Sequence, residues 1–425
     1  MRRQNNSIKG MNKHIIKITE NRTKLNYLDI LLIVTILLQD AGSFGLPLNL
    51  YQITILAAFG VIAADHFSGF KKAVMSDRFL VLLLYIFIIT IGMGAGYVSL
   101  KYYIFIVIES AVIYGWLRRM NDYEKLYRIL YRIALVMAVI GIIQEAGYIA
   151  GIPYLYNHAY YGFQNILSIR HGILAVTSLC SEPSHCAGFV AFGLWIGLIK
   201  KDRNYTSFFR TSFITVCAVL TQSLVVYVTG AAVFAAYIFY HYKYIEKDRR
   251  KLILILAAAG FLSLIMSGIG RETFGRLEQF RRLDANTSSD LSALSLVSNY
   301  KIAAAKMRDG YIFGTGINTH RSYYYDYIHK IYNNIYMYLN DGDAGSLYLR
   351  IFSEFGITGF ILLLGFIFAN LYKSYKKRDL NVFTFTILFA VLILRNGHYE
   401  TVLNLICMIA AFLMPCKKIK KQKIE

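Results

Sequence analysis

Residues 346–371 read SLYLRIFSEFGITGFILLLGFIFANL. Two charges, Arg350 and Glu354, stand four apart near the start, and the rest is almost entirely apolar or small. A helix crosses a bilayer with about 20 predominantly apolar residues. A helix on the surface of a soluble protein would alternate an apolar stripe with a polar face, and this stretch has no polar face. It is therefore predicted to span a membrane. Arg350 and Glu354 then share one face, where an intrahelical ion pair would lower the cost of inserting either charge. Gly356 and Gly359 follow at small-xx-small spacing, which suits close helix packing.

Eleven other stretches read the same way: 28–48, 50–66, 79–97, 99–117, 127–149, 183–200, 207–223, 224–241, 252–268, 382–395 and 399–415. The composition agrees. Of 425 residues, 56% are apolar or aromatic, 17% are charged and 4 are proline, against roughly 45–50% apolar and 25% charged in soluble chains. A disordered chain, a disulfide scaffold and a nucleic-acid-binding domain are excluded. The fold class is an all-α polytopic membrane protein of about 12 spans. Cys217 and Cys407 fall inside apolar blocks as small core residues, whereas Cys180 and Cys186 could meet at one face.

The net charge of +21 is topological. With the N-terminus inside, 32 of the 46 Lys and Arg fall in 1–27, 65–78, 117–128, 200–210, 242–251, 372–380 and 416–425. The opposite face carries 13, nine of them in one long loop. This is the positive-inside pattern, and it places both termini in the cytoplasm. The first apolar stretch is too long for a signal peptide and lacks a cleavage site, so it reads as a retained helix. The expected organisation is a basic cytoplasmic N-terminus (1–27), spans one to nine (28–268) with an outer loop at 150–182, a large extracytoplasmic loop (269–345), spans ten to twelve (346–415) and a basic cytoplasmic tail (416–425). The large loop is predicted to contain helices over 271–283 and 291–308.

Ionisable groups at membrane depth are costly and mark function. They gather toward the outer face: Asp40, Glu145, Arg170, Glu182, Arg350, Glu354, Arg395, His398 and Glu400. Glu182 precedes Pro183, which suits the first turn of a helix, so its carboxylate faces a helix N-terminus. It is either a cap paired with Arg170 or a base held at the headgroup boundary. The turn Arg395-Asn396-Gly397-His398-Tyr399-Glu400 sets a guanidinium, an imidazole and a carboxylate within six residues. Such a set can bind phosphate and move a proton. In the large loop Arg271 and Arg281 have no acidic partner at i,i+4, and an anionic ligand such as a lipid diphosphate would supply a reason for them. Nine aromatic residues between 311 and 338, among them Tyr323, Tyr324 and Tyr325, suit either sugar stacking or an interfacial belt. Gly314-Thr315-Gly316 lacks the third glycine of a dinucleotide fingerprint. No P-loop, zinc spacing or nucleophile elbow occurs.

Three segments in order resemble the Wzy-type polysaccharide polymerases of the O-antigen polymerase/ligase-like superfamily. Arg170…Ser181-Glu182-Pro183-Ser184 is similar to their R…EPS segment. Phe313-Gly314-Thr315-Gly316-Ile317-Asn318 is similar to their fGxGxN loop. Leu349 to Gly359 is similar to their helix of pattern E-x-G-i-x-G. The resemblance covers roughly 28–415. It implies a GT-C-like, metal-independent glycosyltransferase of the bacterial cytoplasmic membrane that needs no cofactor. Its substrate would be an undecaprenyl-diphosphate-linked oligosaccharide, polymerised at the outer face into O-antigen, capsule or exopolysaccharide beside a chain-length regulator and a flippase. On this reading Glu182, then His398, is the acceptor base. Arg170, Arg281, Arg350 and Arg395 bind diphosphate, Glu354 orients Arg350, and Tyr323, Tyr324 and Tyr325 meet sugar. The alternatives are O-antigen-ligase-type glycan transfer and a polysaccharide flippase or other transporter. The ligases carry His-Asn where this chain has Gly345-Ser346, which favours a polymerase.

Overall fold

The computed structural model of the chain describes residues 25–42, 44, 47–74, 86–88, 96–120, 122–170, 172–199, 205–223, 225–232, 291–331 and 339–413. The expected spans at 79–97, 224–241 and 252–268 lie wholly or mostly outside the described residues, as do Arg271, Arg281, the basic N-terminus and the basic tail. The described chain is a helical membrane protein. Three helices are long and apolar enough to cross a bilayer, namely Val98–Met120, Tyr123–Ile149 and Leu347–Lys377. Shorter apolar helices pack around them.

In chain order the elements are α1 (Tyr27–Leu37), α2 (Leu50–Val74), α3 (Tyr97–Met120), α4 (Tyr123–Ile149), β1 (Ser168–Arg170), β2 (Ile173–Ala175), α5 (Pro183–Ile199), α6 (Phe208–Leu220), α7 (Leu291–Arg308), α8 (His320–Ile331), α9 (Leu347–Lys377), α10 (Leu380–Leu392) and α11 (Val402–Leu413). β1 and β2 form an antiparallel hairpin with Ile169 opposite Leu174. α4 packs on α5 and α6, α10 on α9 and α11, α11 on α3, and α7 on α9. One apolar core runs from Leu28 and Leu32 through Trp116, Tyr131 and Phe192 to Phe385 and Ile406.

Polar caps start the helices where the apolar runs begin. The Asn26 side chain accepts from the Asp29 amide at 2.8 Å while the Asp29 carboxylate accepts from the Asn26 amide at 2.8 Å, a reciprocal box that satisfies two free donors. Asp29 also receives Trp116 Nε1 at 3.0 Å and Lys125 Nζ at 2.5 Å. Asp379 caps α10 through the amides of Asn381 and Val382.

The structure departs from the periodicity in three places. The first span, expected over 28–48, is helical only to Leu37. Beyond it the backbone joins the 150–182 segment instead: Gly42 N donates to Gly162 O at 2.7 Å and Gln164 N to Asp40 O at 3.0 Å. The second span, expected over 50–66, continues as α2 to Val74. α9 is bent at Gly356, with φ 61° and ψ −159°. A side chain at Gly356 would overlap the carbonyl of Ile312. That glycine therefore admits a loop of the same chain rather than a neighbouring helix. Cys180, Cys186, Cys217 and Cys407 are buried free thiols.

Candidate functional site

The bend in α9 frees backbone groups that a continuous helix would satisfy internally. The 312–318 loop takes them up. Ile357 N donates to Ile312 O at 3.1 Å, and the amides of Thr315 and Gly316 converge on Glu354 O at 2.9 and 2.8 Å. Gly314 and Gly316 have φ of 83° and 97°, and a Cβ on Gly314 would overlap Glu354 O. The two glycines of the GTG sequence thus permit a close backbone approach.

Beneath this loop the Glu354 carboxylate, fully buried, accepts from Asn318 N at 2.9 Å, His320 N at 3.2 Å and Arg350 Nε at 3.2 Å. Arg350 is 2% exposed. Its Nη1 donates to Gly397 O at 3.0 Å and its Nη2 to Asn318 Oδ1 at 3.1 Å. The guanidinium also lies 4.6 Å from the Tyr399 ring and 5.5 Å from the Tyr102 ring. Arg350, which the sequence suggests as a diphosphate contact, is instead walled off and committed to protein acceptors. It ties the bent helix to the 312–318 loop and to the 395–400 turn.

A buried polar network continues outward. Lys306 Nζ, 1% exposed, donates to Thr315 Oγ1 at 2.8 Å, Ser353 O at 2.9 Å and Ser353 Oγ at 3.0 Å. Burial brings its ammonium down to about 8, against the opposing pull of Glu354. His320 Nδ1 lies 2.9 Å from Ser353 Oγ and Nε2 lies 2.8 Å from Asn299 Oδ1. Burial, then the charges of Lys306 and Arg350, keeps this imidazole well below its usual range and so neutral. Serine, histidine and asparagine in this order resemble a nucleophilic triad, but all three are buried and no substrate reaches them. The network is framework. The sequence reading missed Lys306, His320 and Asn299. The signal was the seven-residue spacing of Asn299 and Lys306, two turns apart on the buried face of α7.

The 395–400 turn lies above Arg350. Gly397 is required there, because a Cβ would overlap the carbonyl of Asp343. His398 stands between two carboxylates, Nε2 at 3.5 Å from Asp343 Oδ2 and Nδ1 at 3.4 Å from Glu400 Oε1, with its side chain 43% exposed. Burial disfavours its charge, but the hydrogen bond and charge of Glu400, with Asp343, raise it to about 9. These two carboxylates favour its protonated form. Burial likewise works against the Glu400 carboxylate, yet His398, Arg350 and the Tyr102 hydroxyl hold it down at about 2. Tyr51 donates to Glu400 O at 3.1 Å and to the buried Glu109 carboxylate.

Asp40 and His185 face this turn. Asp40 Oδ2 accepts from Ser181 N at 2.8 Å and lies 3.8 Å from His185 Nδ1. Burial opposes its ionisation, but His185 and Ser181 prevail and lower it. The His185 and His398 rings are 6.3 Å apart, edge to face. Glu182 ends the loop before α5, partly buried, and its carboxylate accepts from Ser184 Oγ at 3.1 Å. The Arg395 side chain forms no hydrogen bond or ion pair with the described residues, and its amide donates to Leu392 O at 3.2 Å. Together with Asp40, Ser184, His185, Asn396 and Asn404 it lines a narrow cleft.

The structure thus brings Arg395, Ser184 and His185 to one cleft, with His398 packed on His185 and Glu182 bonded to Ser184, and buries Arg350 and Glu354 behind the 395–400 turn. Arg170 ends β1, but its side chain lies outside the described residues. Among the tyrosines, Tyr324 is fully buried against Ile302 and Ile328 and has no face to offer a sugar, contrary to expectation. Tyr323 packs over Lys306 at 4.5 Å, and the Tyr325 hydroxyl binds Asp341 at 2.5 Å. Among the described residues no three His, Cys, Asp or Glu side chains converge in a metal-holding arrangement.

Residues 209–364 match the family model described as O-Antigen ligase. That range contains the 312–318 loop, Arg350 and Glu354, begins after Glu182 and ends before Arg395. The match supports similarity to the O-antigen ligase/polymerase-like superfamily, whose members are membrane enzymes of glycan transfer, and does not separate polymerase from ligase. No curated protein matches the chain.

Proposed function

We propose that this chain transfers a growing glycan from its undecaprenyl diphosphate onto a hydroxyl of the next lipid-linked repeat unit, at the outer face of a bacterial cytoplasmic membrane. The observation that supports this reading is a cleft lined by the unengaged guanidinium of Arg395 together with Ser184 and His185, with the His398 ring packed against His185 and the Glu182 carboxylate accepting from Ser184 Oγ. Glycosyl transfer needs two groups at once. A departing diphosphate must be stabilised, and the acceptor hydroxyl must lose a proton. Arg395 supplies the first. Glu182 supplies the second by accepting the proton as the acceptor oxygen attacks the anomeric carbon and the bond to diphosphate breaks.

His398, the second choice of base from sequence, takes a different role here: with both ring nitrogens turned to Asp343 and Glu400, it holds the 395–400 turn rather than accepting a proton. Arg170 and Arg281 are further proposed cations for the diphosphate. Arg350 and Glu354 position the turn that carries His398. Tyr323 and Tyr325 remain proposed sugar contacts. Polymerase is favoured over ligase because Gly345 stands where the ligases place His. It has φ of 64°, a conformation that a β-substituted residue holds only under strain.

The test is Glu182→Ala in cells making the polymer and as purified full-length protein with synthetic lipid-linked repeat units. Polymer ladders should vanish while the membrane level of the protein is unchanged. Wild-type ladders from the variant would refute the assignment of the base. Failure of the purified wild type to elongate any lipid-linked repeat unit would refute the function.

A further inference from the structure

α4 carries an exposed stripe that does not stop where the helix does. Arg132, Val136, Val139, Ile143 and Ala146 are exposed at alternating steps of four and three, on one face of a helix long and apolar enough to cross a bilayer. Beyond Arg132 that face is wholly apolar, as a side turned to lipid must be. From Arg132 to Ile149 the axis rises about 26 Å. The helix therefore ends no farther out than the boundary of a hydrocarbon layer roughly 30 Å thick. Every residue from Ile149 to Leu155 is exposed in turn.

The segment that follows has the composition of a lipid boundary. Between Glu145 and Arg170 there is no Asp, Glu, Lys or Arg. Tyr154, Tyr160, Ile166 and Ile169 are each more than half exposed, and the Tyr154 and Tyr160 rings pack on each other at 4.8 Å. A patch of large exposed apolar groups marks an interaction surface. A face turned to water is charged, as on α8, where the Arg321 and Lys330 side chains are 69% and 66% exposed. The opposite edge of the segment is bonded to the protein. Ile166 N donates to Ser181 O at 2.8 Å and Gln164 N to Asp40 O at 3.0 Å, and Tyr156 O accepts from Gln144 Nε2 at 2.8 Å. Backbone close to lipid has to find its hydrogen bonds within the protein, and these bonds answer that need.

The occupant of the patch follows from continuity. The patch begins where the lipid-facing stripe of α4 ends, and it offers no charge for a protein partner of either sign. Tyrosine, an apolar ring with a hydroxyl, suits the depth at which acyl chains meet headgroups. We propose that residues 149–169 lie in the leaflet beside the candidate site, with Tyr154, Tyr160 and Ile166 among the headgroups and the upper acyl chains. The bilayer then sets the depth of Asp40 and Ser181, which the inner edge of the segment holds. Only a membrane-spanning α4 is required, so this placement is independent of the glycan-transfer reading.

Spin labels test the placement. Ile152→Cys, Tyr160→Cys and Ile166→Cys are made one at a time in full-length protein carrying Cys416→Ser, the other four cysteines being buried. Each variant is labelled and reconstituted in vesicles of phosphatidylethanolamine and phosphatidylglycerol. Collision rates are measured with oxygen, which concentrates in lipid, and with a water-soluble nickel chelate. Val139→Cys on the stripe of α4 and Ser322→Cys on α8 give the lipid and water references. All three labels should lose most of the chelate collisions seen at position 322 and approach the oxygen collisions seen at position 139, reporting a depth of about 5–10 Å. Chelate collisions equal to those at position 322 would place the segment in water and overturn the proposal. Few collisions with either reagent would show a protein surface over the patch and overturn it equally. A variant that fails to fold leaves the other two positions to decide.

Discussion

Glu354→Gln is the most informative single change in the structure. The carboxylate accepts three N–H donors, from Asn318, His320 and Arg350, at 2.9, 3.2 and 3.2 Å. A glutamine keeps one oxygen and turns an NH₂ group toward donors that need an acceptor. It also leaves Arg350 buried, at 2% exposure, without its counter-charge. Breaking a buried ion pair by removing one partner costs about 3–5 kcal/mol, set against total stabilities of roughly 5–15 kcal/mol. The loss is local first, because the carboxylate holds the 312–320 segment on the bend of α9. At about 1.4 kcal/mol per factor of ten, amide exchange at Asn318 and His320 should accelerate roughly a hundred- to a few-thousand-fold. Thr315 and Gly316, bound to Glu354 O, should follow. Amides within α4 should change far less. Hydrogen exchange read by mass spectrometry on the purified full-length protein resolves these peptides. The double variant Arg350→Met with Glu354→Leu should be less damaged than the sum of the single variants, because it leaves no buried charge unpaired. Wild-type protection at Asn318 and His320 in Glu354→Gln would refute the claim that this carboxylate holds the loop.

Gly397→Ala should collapse the 395–400 turn, since the new methyl would overlap Asp343 O; a large fall in melting temperature and loss of glycan transfer are expected, and wild-type values for both would contradict the geometry. The pH dependence of stability should carry a signature of His398. Its folded value is about 9 against 6.5 ordinarily, so the stabilisation it confers is complete below pH 6.5 and is lost as pH rises through about 9. The melting-temperature difference between wild type and His398→Gln should shrink across that window, modestly because the ring is 43% exposed, and a difference constant from pH 6 to pH 10 would show that the imidazolium confers none. Glu400 acts in the opposite direction, its contribution present above pH 4.5 and lost as pH falls toward about 2; Glu400→Gln should therefore converge with wild type in acid, and a gap that persists there would point to a packing role instead.

Much of this molecule is legible in one dimension. Apolar runs of about 20 residues announce spans because a chain in lipid must satisfy its own backbone, and helices do so locally. Arg350 and Glu354 announce an ion pair because i,i+4 fixes their proximity whatever the rest of the chain does. The 395–400 turn is visible because two apolar blocks must be joined. The charge pattern of the loops predicts a sidedness by the same short-range logic, because retention of cations acts on each loop separately. The superfamily resemblance used the same short-range information: three motifs, each a few residues long.

The tertiary structure decided what depends on contacts between distant segments. Gly42, Gly45 and Pro47 weaken a helix beyond residue 38, but where α1 gives way is set by Asp40 and Gly42, which bond to Ser181 and Gly162 more than 100 residues on. Gly356 reads as a packing glycine, but only the arrival of Ile312 makes it a bend. Tyr324 and Arg350 look like ligand contacts by residue type, and burial removes both from solvent. The sequence by itself determined that the chain is a membrane helix bundle with a polar outer layer, since burial in lipid and local helix geometry need no distant partner. Which of those polar groups are spent on the protein and which remain for a ligand was decided by the fold, because hydrogen-bond satisfaction is a property of pairs.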